Sequence, residues 1–342
     1  MSAPLAIPTL NDVAKAAGVS TATVSRCLNS PDRVIDSTRD RVMQAVHELG
    51  YSPNFGARAM ASRRTNTIGA IIPTMENAIF ARGIQAFQEE LRQSGYTLLV
   101  ASSSYREDIE EEQIRTLVSR GADGLLLIGH SRDPEIYKFL ATQGVQALVA
   151  WSHNEGAKLH SIGFDNRAAM RTLTESVLEK GHRRIAVVSA KRTGNDRAQQ
   201  RILGVMDAVA AAGMDSEATT IFETSYGIET GALAFDQLMA LATPPTAVIC
   251  GNDVLAVGAM KRARELGLIV PSDVSITGFD DIELARIVVP ALTTVHVPHR
   301  EMGTKAARIL MDMVEGKSGG QTEKLDADVR LRGSLGPPAD LS

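Results

Sequence analysis

The sequence predicts an α/β protein: a small N-terminal three-helix helix-turn-helix (HTH) head, followed by two doubly wound parallel-sheet subdomains. Three observations carry this. The first sixty residues place apolar side chains at helical spacing, punctuated by capping residues and glycines. Beyond residue 66, short apolar runs alternate with longer helical patterns without intervening hairpin turns, which argues for parallel strands covered on both faces. The length of 342 residues corresponds to two or three folding units at roughly 100–200 residues each.

The head reads in order. Thr9 opens a capping box with Asp12, Leu10, Val13, Ala14 and Ala17 form an apolar stripe, and Gly18 stops the first helix. Ser20 is the natural N-cap of the second, with Val24, Cys27 and Leu28 facing inward and Thr21, Ala22, Thr23, Ser25 and Arg26 facing outward. Asn29-Ser30-Pro31 ends it. Ser37 and Asp40 cap a third helix whose buried face is Val42, Met43, Val46 and Leu49, closed by Gly50. Two short helices joined by a tight glycine turn suit a unit that lays its second helix in a DNA major groove. There Arg26 would pair with guanine, and Thr21 and Ala22 would accept a thymine methyl. An ordinary three-helix bundle with a solvated polar face gives the same pattern.

Charge divides unevenly. The net charge is −4, but residues 1–64 carry eight Lys/Arg against five acids, a balance of +3 that leaves −7 for the rest. A basic head on an acidic body suits a polyanionic partner, although +3 is also within ordinary fluctuation. No apolar stretch nears the ~20 residues of a membrane span, and the N-terminus has neither the basic leader nor the apolar core of a signal peptide, so a cytoplasmic location without membrane partners is expected. Cys27 and Cys250 lie in apolar contexts and read as buried free thiols.

The run Thr9-Leu10-Asn11-Asp12-Val13-Ala14-Lys15-Ala16-Ala17-Gly18-Val19-Ser20-Thr21-Ala22-Thr23-Val24-Ser25-Arg26-Cys27-Leu28-Asn29, with Tyr51-Ser52-Pro53-Asn54 after it, resembles the DNA-binding signature of the lactose repressor (LacI/GalR) family. The resemblance implies that Thr21, Ala22 and Arg26 read bases and that Leu10, Ser20, Thr23, Ser25, Asn29 and Thr38 contact the DNA backbone. It implies a hinge helix over 54–64, with Asn54, Ala57 and Met60 at the minor groove. Met60 stands where relatives usually have a leucine wedge, and Met is also an apolar side chain able to unstack a base step. Gly56 weakens that helix by about 1 kcal/mol relative to Ala, so it should fold only on DNA. A plain basic linker is the alternative for 54–66.

Ten apolar runs follow: Ile68–Pro73, Thr97–Ser102, Gly124–Gly129, Ala147–Trp151, His160–Phe164, Arg184–Ala190, Thr219–Glu223, Ala247–Gly251, Val274–Gly278 and Leu292–Val297. Helical patterns separate them: Phe80–Ser94, Ile109–Arg120, Pro134–Gln143, Arg167–Lys180, Ala198–Ala212, Thr230–Leu241, Val254–Leu266 and Glu301–Val314. The core of the resembled family has the architecture of periplasmic sugar-binding proteins, with several chain crossings. The expected boundaries are therefore a head at 1–53, a hinge at 54–66, a core at 67–333 and a tail at 334–342. Within the core, the first subdomain takes about 67–163 and 299–317, and the second about 164–298 and 318–333.

Open parallel sheets bind ligands beyond the carboxyl ends of their strands, so two facing sheets make a cleft. Sugar binding there needs bidentate polar side chains and an aromatic wall. By resemblance, Asn252 and Asp280 bond effector hydroxyls, Arg201 clamps them, Tyr226 stacks, Trp151 replaces an acidic residue, and Met75 and Phe80 line the first subdomain's loop. Each has a structural alternative: Trp151 as core, Asn252 and Asp280 as helix caps, Arg197 and Arg201 as a solvated helix face. Replacing an acid by Trp151 favours an anionic effector, a sugar acid rather than a neutral sugar, and Ile162–Asn166 and Val289–Leu292 resemble the gluconate-responsive branch.

No phosphate-binding loop, dinucleotide fingerprint, zinc-protease motif or nucleophile elbow is present, so neither an enzyme nor a cofactor is expected. His296 and His299 without acidic or thiolate partners read as structural, not metal-binding. The expected protein is an operator-binding transcriptional repressor acting as a homodimer, since two heads read two half-sites and no C-terminal leucine heptad is present, and it is released by a sugar-type effector. A transport-type sugar-binding protein is the alternative; it explains the core but not the basic head.

Overall fold

The computed structural model describes residues 7–52, 64–76, 78–154, 156, 159–215, 219–317 and 322–339. The chain divides into two compact units, residues 1–65 and 66–342. Asn54, Ala57 and Met60 lie outside the described residues, as does the side chain of Asn29.

The first unit contains α1 (Leu10–Ala17), α2 (Thr21–Asn29), a single 3₁₀ turn (Pro31–Arg33) and α3 (Asp36–Leu49). The Thr9 capping box forms in both directions, and Gly18 closes α1 with φ 64°, a left-handed conformation costly for residues with a Cβ. Ser20 Oγ accepts from Thr23 N at 3.1 Å, a cap worth about 1 kcal/mol. Val13, Ala14, Ala17, Val24, Cys27, Val42 and Ala45 form the core. Two expectations for α3 need correction. It starts at Asp36 behind Ile35, with no side-chain cap. Asp36 instead pairs with Arg39 at 2.9 Å, and Ala45 fills the buried face while Met43 and Leu49 are exposed. The stripe that fits a small helical core needs an alanine where the neighbouring helices approach closely.

The second unit holds two sheets. β1 (Thr67–Ile72), α4 (Ala78–Gln93), β2 (Thr97–Ser102), α5 (Glu107–Ser119), β3 (Gly124–Ile128), α6 (Pro134–Gln143), β4 (Gln146–Ala150) and β5 (Ser161–Gly163) build the first subdomain. The chain then crosses to α7 (Asn166–Glu179), β6 (Ile185–Ala190), α8 (Asp196–Ala211), β7 (Thr220–Thr224), α9 (Ile228–Met239), β8 (Ala247–Cys250), α10 (Asp253–Glu265), β9 (Ser275–Asp280), α11 (Glu283–Ile287) and β10 (Thr293–His296). It returns with α12 (His299–Glu315), which packs on α4, and with β11 (Glu323–Lys324), then crosses again to β12 (Asp328–Arg330).

The strand orders are β11-β5-β4-β3-β1-β2 and β12-β10-β9-β8-β6-β7. All pairings are parallel except β10 with β12. Central strands β1, β3, β6 and β8 are buried throughout, because helices cover both faces, whereas edge strands β2 and β7 are partly exposed. Two boundaries differ from expectation. Residues 323–324 complete the first sheet beside β5, so the last crossing follows Lys324 rather than Lys317. Residues 334–336 are not a tail: Ser334 Oγ donates to Ile276 O at 2.5 Å and accepts from Thr293 N, and His182 Nε2 donates to Gly336 O at 2.9 Å. These polar groups close the amino ends of β9 and β10, a role no local sequence pattern announces. Among the described residues no helix is long and apolar enough to cross a membrane.

Helices α4 and α12 cross backbone to backbone. A Cβ at Gly303 would lie 2.0 Å from Gly83 O, and one at Gly83 would lie 2.4 Å from the Trp151 ring. Gly303→Ala should therefore destabilise the protein by about 1–3 kcal/mol in urea denaturation. Gly144→Asn, at an open left-handed cap with φ 69° and no neighbour within 4 Å, should stay within about 1 kcal/mol of the parent.

Candidate functional site

In the first unit, α2 turns Val24 and Cys27 into the core and leaves Thr21, Ala22 and Arg26 exposed on the opposite face. Positions 21, 22, 25 and 26 repeat at one turn, so they share one side of the helix. Thr23 and Ser25 are half-buried at its margins. The Ser20 and Thr23 hydroxyls lie 2.9 Å apart, so both serve the start of α2. Leu10 packs partly against the core as the first residue of α1, and Thr38 sits half-buried in the first turn of α3.

In the second unit, strand order reverses between β1 and β3 and again between β6 and β8, and the cleft lies beyond the carboxyl ends of these strands. A chamber of about 20 Å³ there is lined by Ile79, Phe80, Tyr105, Trp151, Arg197, Arg201, Tyr226 and Asp280. That is room for about one water, so the two subdomains meet closely. Contacts cross between them: Arg197 Nη1 donates to Ile128 O at 3.0 Å, His130 N donates to Asp196 Oδ2 at 2.8 Å, and Arg82 pairs with Glu283. Met75 is exposed in a vestibule of about 490 Å³ that shares Tyr105 and Tyr226 with the chamber.

Arg201 is 6% exposed. Its Nε donates to Asn166 Oδ1 at 2.9 Å and its Nη1 to Gly251 O at 2.6 Å, while the guanidinium carbon lies 3.8 Å from the centre of the Phe279 ring. Arg197 is 7% exposed and pairs with Asp196 at 3.0 Å. The solvated-face alternative for these two arginines is thereby excluded. Asp280 is completely buried, with Oδ1 3.5 Å from Arg201 Nη2, and neither carboxylate oxygen receives a hydrogen bond. Burial pushes its pKa up to about 7, partly offset by Arg201 and Arg197.

Trp151 proves to be both core and wall. It is 1% exposed, lines the chamber, and its Nε1 donates to His299 Nδ1 at 3.1 Å. Phe80 meets it edge to face at 5.6 Å. His299 Nε2 in turn donates to Asp280 O at 3.2 Å, so the ring is held neutral, and burial drives its pKa down to about 3. Asn166 Nδ2 donates to Trp151 O at 3.1 Å. Asn252 stands apart from the chamber lining: its Oδ1 caps α10 by accepting from Leu255 N at 2.9 Å, while its buried Nδ2 has no partner. Asp281, next to Asp280, is held by Arg332, Arg286 and His296.

Sequence reasoning missed Ile79 and Tyr105 as lining residues and Asn166 and His299 as supports. Tyr105 and Asn166 follow the strand ends of β2 and β5, and that position was the available signal. Four of the six non-glycine residues with positive φ, Tyr105 (58°), Trp151 (62°), Asp280 (107°) and Asp281 (52°), lie at or beside the chamber, a concentration of strain typical of functional sites. Among the described residues no three His, Cys, Asp or Glu side chains are grouped to hold a metal ion.

Comparison with known proteins agrees with this geometry. Residues 9–54 match the model of bacterial regulatory proteins of the lacI family, and residues 174–335 match the periplasmic binding protein-like domain. The HTH-type transcriptional repressor CytR of Escherichia coli K12 is 34% identical over 330 residues, covering 95% of this chain and 96% of CytR. A LacI-family transcriptional regulator from Silicibacter pomeroyi superposes with a TM-score of 0.87 at 26% identity, over 96% of this chain and 99% of that one. The lac repressor dimer bound to operator and the anti-inducer ONPF superposes with a TM-score of 0.84 at 25% identity, with the same coverage.

The raised Asp280 pKa has a signed consequence. The folded state holds this proton after the unfolded chain has released it, so the contribution of Asp280 to stability falls as pH rises from about 4 to about 7. Asp280→Asn should remove that slope. Relative to the parent, the variant should gain on the order of 1 kcal/mol per pH unit across this window in urea midpoints taken at pH 4.5, 6 and 7.5.

Proposed function

Since this chain belongs to the LacI family of bacterial regulatory proteins, and is a DNA-binding transcriptional repressor with a ligand-binding domain rather than an enzyme, we propose that it binds a palindromic operator as a homodimer in the cytoplasm and is released by a sugar acid of the gluconate class. The observation that carries the effector reading is the buried Arg201–Asp280 pair. A carboxylate with two unpartnered oxygens accepts hydrogen bonds from ring or chain hydroxyls, and the guanidinium of Arg201 beside it favours a carboxylate on the ligand. Arg197 is already paired with Asp196, so the cation available to a ligand is that of Arg201, and the uncharged Trp151 adds no second acid beside Asp280. The likeness of Ile162–Asn166 and Val289–Leu292 to the gluconate-responsive branch supports the same choice.

Thr21, Ala22 and Arg26 are the proposed base readers, with Leu10, Ser20, Thr23, Ser25, Asn29 and Thr38 holding the DNA backbone and Asn54, Ala57 and Met60 at the minor groove. Two such heads need two half-sites and hence two-fold symmetry. Ile287 and Val289, 70% and 94% exposed, are apolar side chains suited to burial against a second copy. Effector binding repositions the subdomains and lowers operator affinity, and by linkage operator binding weakens the effector equally. A transport-type sugar-binding protein does not explain the match at 9–54.

Mobility-shift titration on the gene's own upstream region, with a panel of aldonic and uronic acids and neutral sugars, tests this. Release by gluconate-type acids is expected. Release by neutral sugars alone removes the charge argument, and no release by any sugar removes the effector reading. Arg26→Ala should weaken operator binding by about 1–3 kcal/mol and relax preference at one base pair per half-site. Arg201→Met should abolish release by the acid.

A further inference from the structure

We infer that the effector is a two-unit molecule, with its acidic hydroxylated end directed at Arg201 and Asp280, where the subdomains must part to admit it, and a second, uncharged hydroxylated ring in the vestibule, as in an aldobionic acid. This rests on the sugar-acid reading above and adds the ligand's length to it.

The vestibule of about 490 Å³ falls within the roughly 300–1,000 Å³ of small-molecule sites, and a single acidic unit reaching Arg201 and Asp280 would leave it unused. It adjoins the chamber, because Tyr105 and Tyr226 belong to both walls, with rings 5.6 Å apart and tilted by 50°. Ser104 and Tyr105 hold consecutive left-handed conformations, φ 53° and 58°, which fix the Tyr105 ring at the junction.

The lining chooses the second unit. Thr74, Ser102, Ser104 and Ser225 bring hydroxyls, and Met75, Val254 and the two tyrosine rings bring apolar faces for the C–H side of a sugar ring. The Thr74 hydroxyl already accepts from Glu76 N at 3.1 Å, which leaves its O–H to donate. Glu76 is the one charged side chain among the described lining residues. A second carboxylate or a phosphate would face that acid with no cation to balance it, so the outer unit is neutral.

Calorimetry on the full-length protein decides the matter, with gluconate, lactobionate, cellobionate and maltobionate, and with glucose, lactose, cellobiose and maltose as neutral counterparts. At least one disaccharide acid should bind about tenfold or more tightly than gluconate. In Ser225→Trp, which fills the vestibule, that preference should disappear. A neutral disaccharide preferred over glucose with the same loss, and no binding of acids, sustains the two-unit inference and overturns only the acid reading. Gluconate binding as tightly as every disaccharide acid overturns the inference and leaves the sugar-acid reading standing. Failure of all eight to bind overturns both.

Discussion

A guanidinium taken out of water must find new partners, and Arg201 draws them from separate elements of the chain. It reaches Asn166 at the start of α7, the carbonyl of Gly251 after β8 and the ring of Phe279 in β9, and it faces Asp280 at the end of β9. From Asn166 the contacts run to Trp151 O, from Trp151 Nε1 to His299, and from His299 back to Asp280 O. The circuit is closed. Asn166 and His299 each stand immediately after a crossing between the subdomains, so the side chains that face the chamber are bonded to the segments about which the subdomains would turn. A ligand at Asp280, as proposed above, would act on the relative pose of the two sheets through these contacts.

The same circuit holds strain in place. Left-handed backbone at Trp151 and Asp280 costs on the order of 1–3 kcal/mol each, and such conformations persist only where neighbours fix them. Here the neighbours are the indole–imidazole bond at one end and the imidazole–carbonyl bond at the other. The buried Asp280 carboxylate, beside a cation but without a hydrogen bond, is a second unfavourable arrangement kept by the fold. Both are local violations of the rules that the rest of the chain obeys, and both point into the cleft.

Much of this was legible from residues alone. Thr9, Ser20, Gly18 and Gly50 punctuate the head where the structure has its caps. The run Gly124–Ile128, apolar throughout, reads as a central strand because both of its faces are covered. Phe80, Trp151, Arg201, Tyr226 and Asp280 do meet in one chamber. Where two readings were open, the structural one holds: Asn252 caps a helix, and Trp151 is buried in the core while also lining the chamber. Met43 and Leu49 were misplaced because a helical stripe gives a direction but not the depth of the neighbour it meets, and Ala45 takes the position where α3 approaches the core.

Sequence by itself determined the alternation of strands and helices, the punctuated three-helix head and the residue types at strand ends. These follow from interactions within a few residues, whose periods of 2.0 and 3.6 are written in the chain. Only the tertiary structure decided that Arg201 bonds Asn166, that Trp151 bonds His299 across 148 positions, that β11 still belongs to the first sheet and that Ser334 locks the second. Those pairings depend on strand order and on where the chain crosses between sheets, and neither leaves a mark in local spacing.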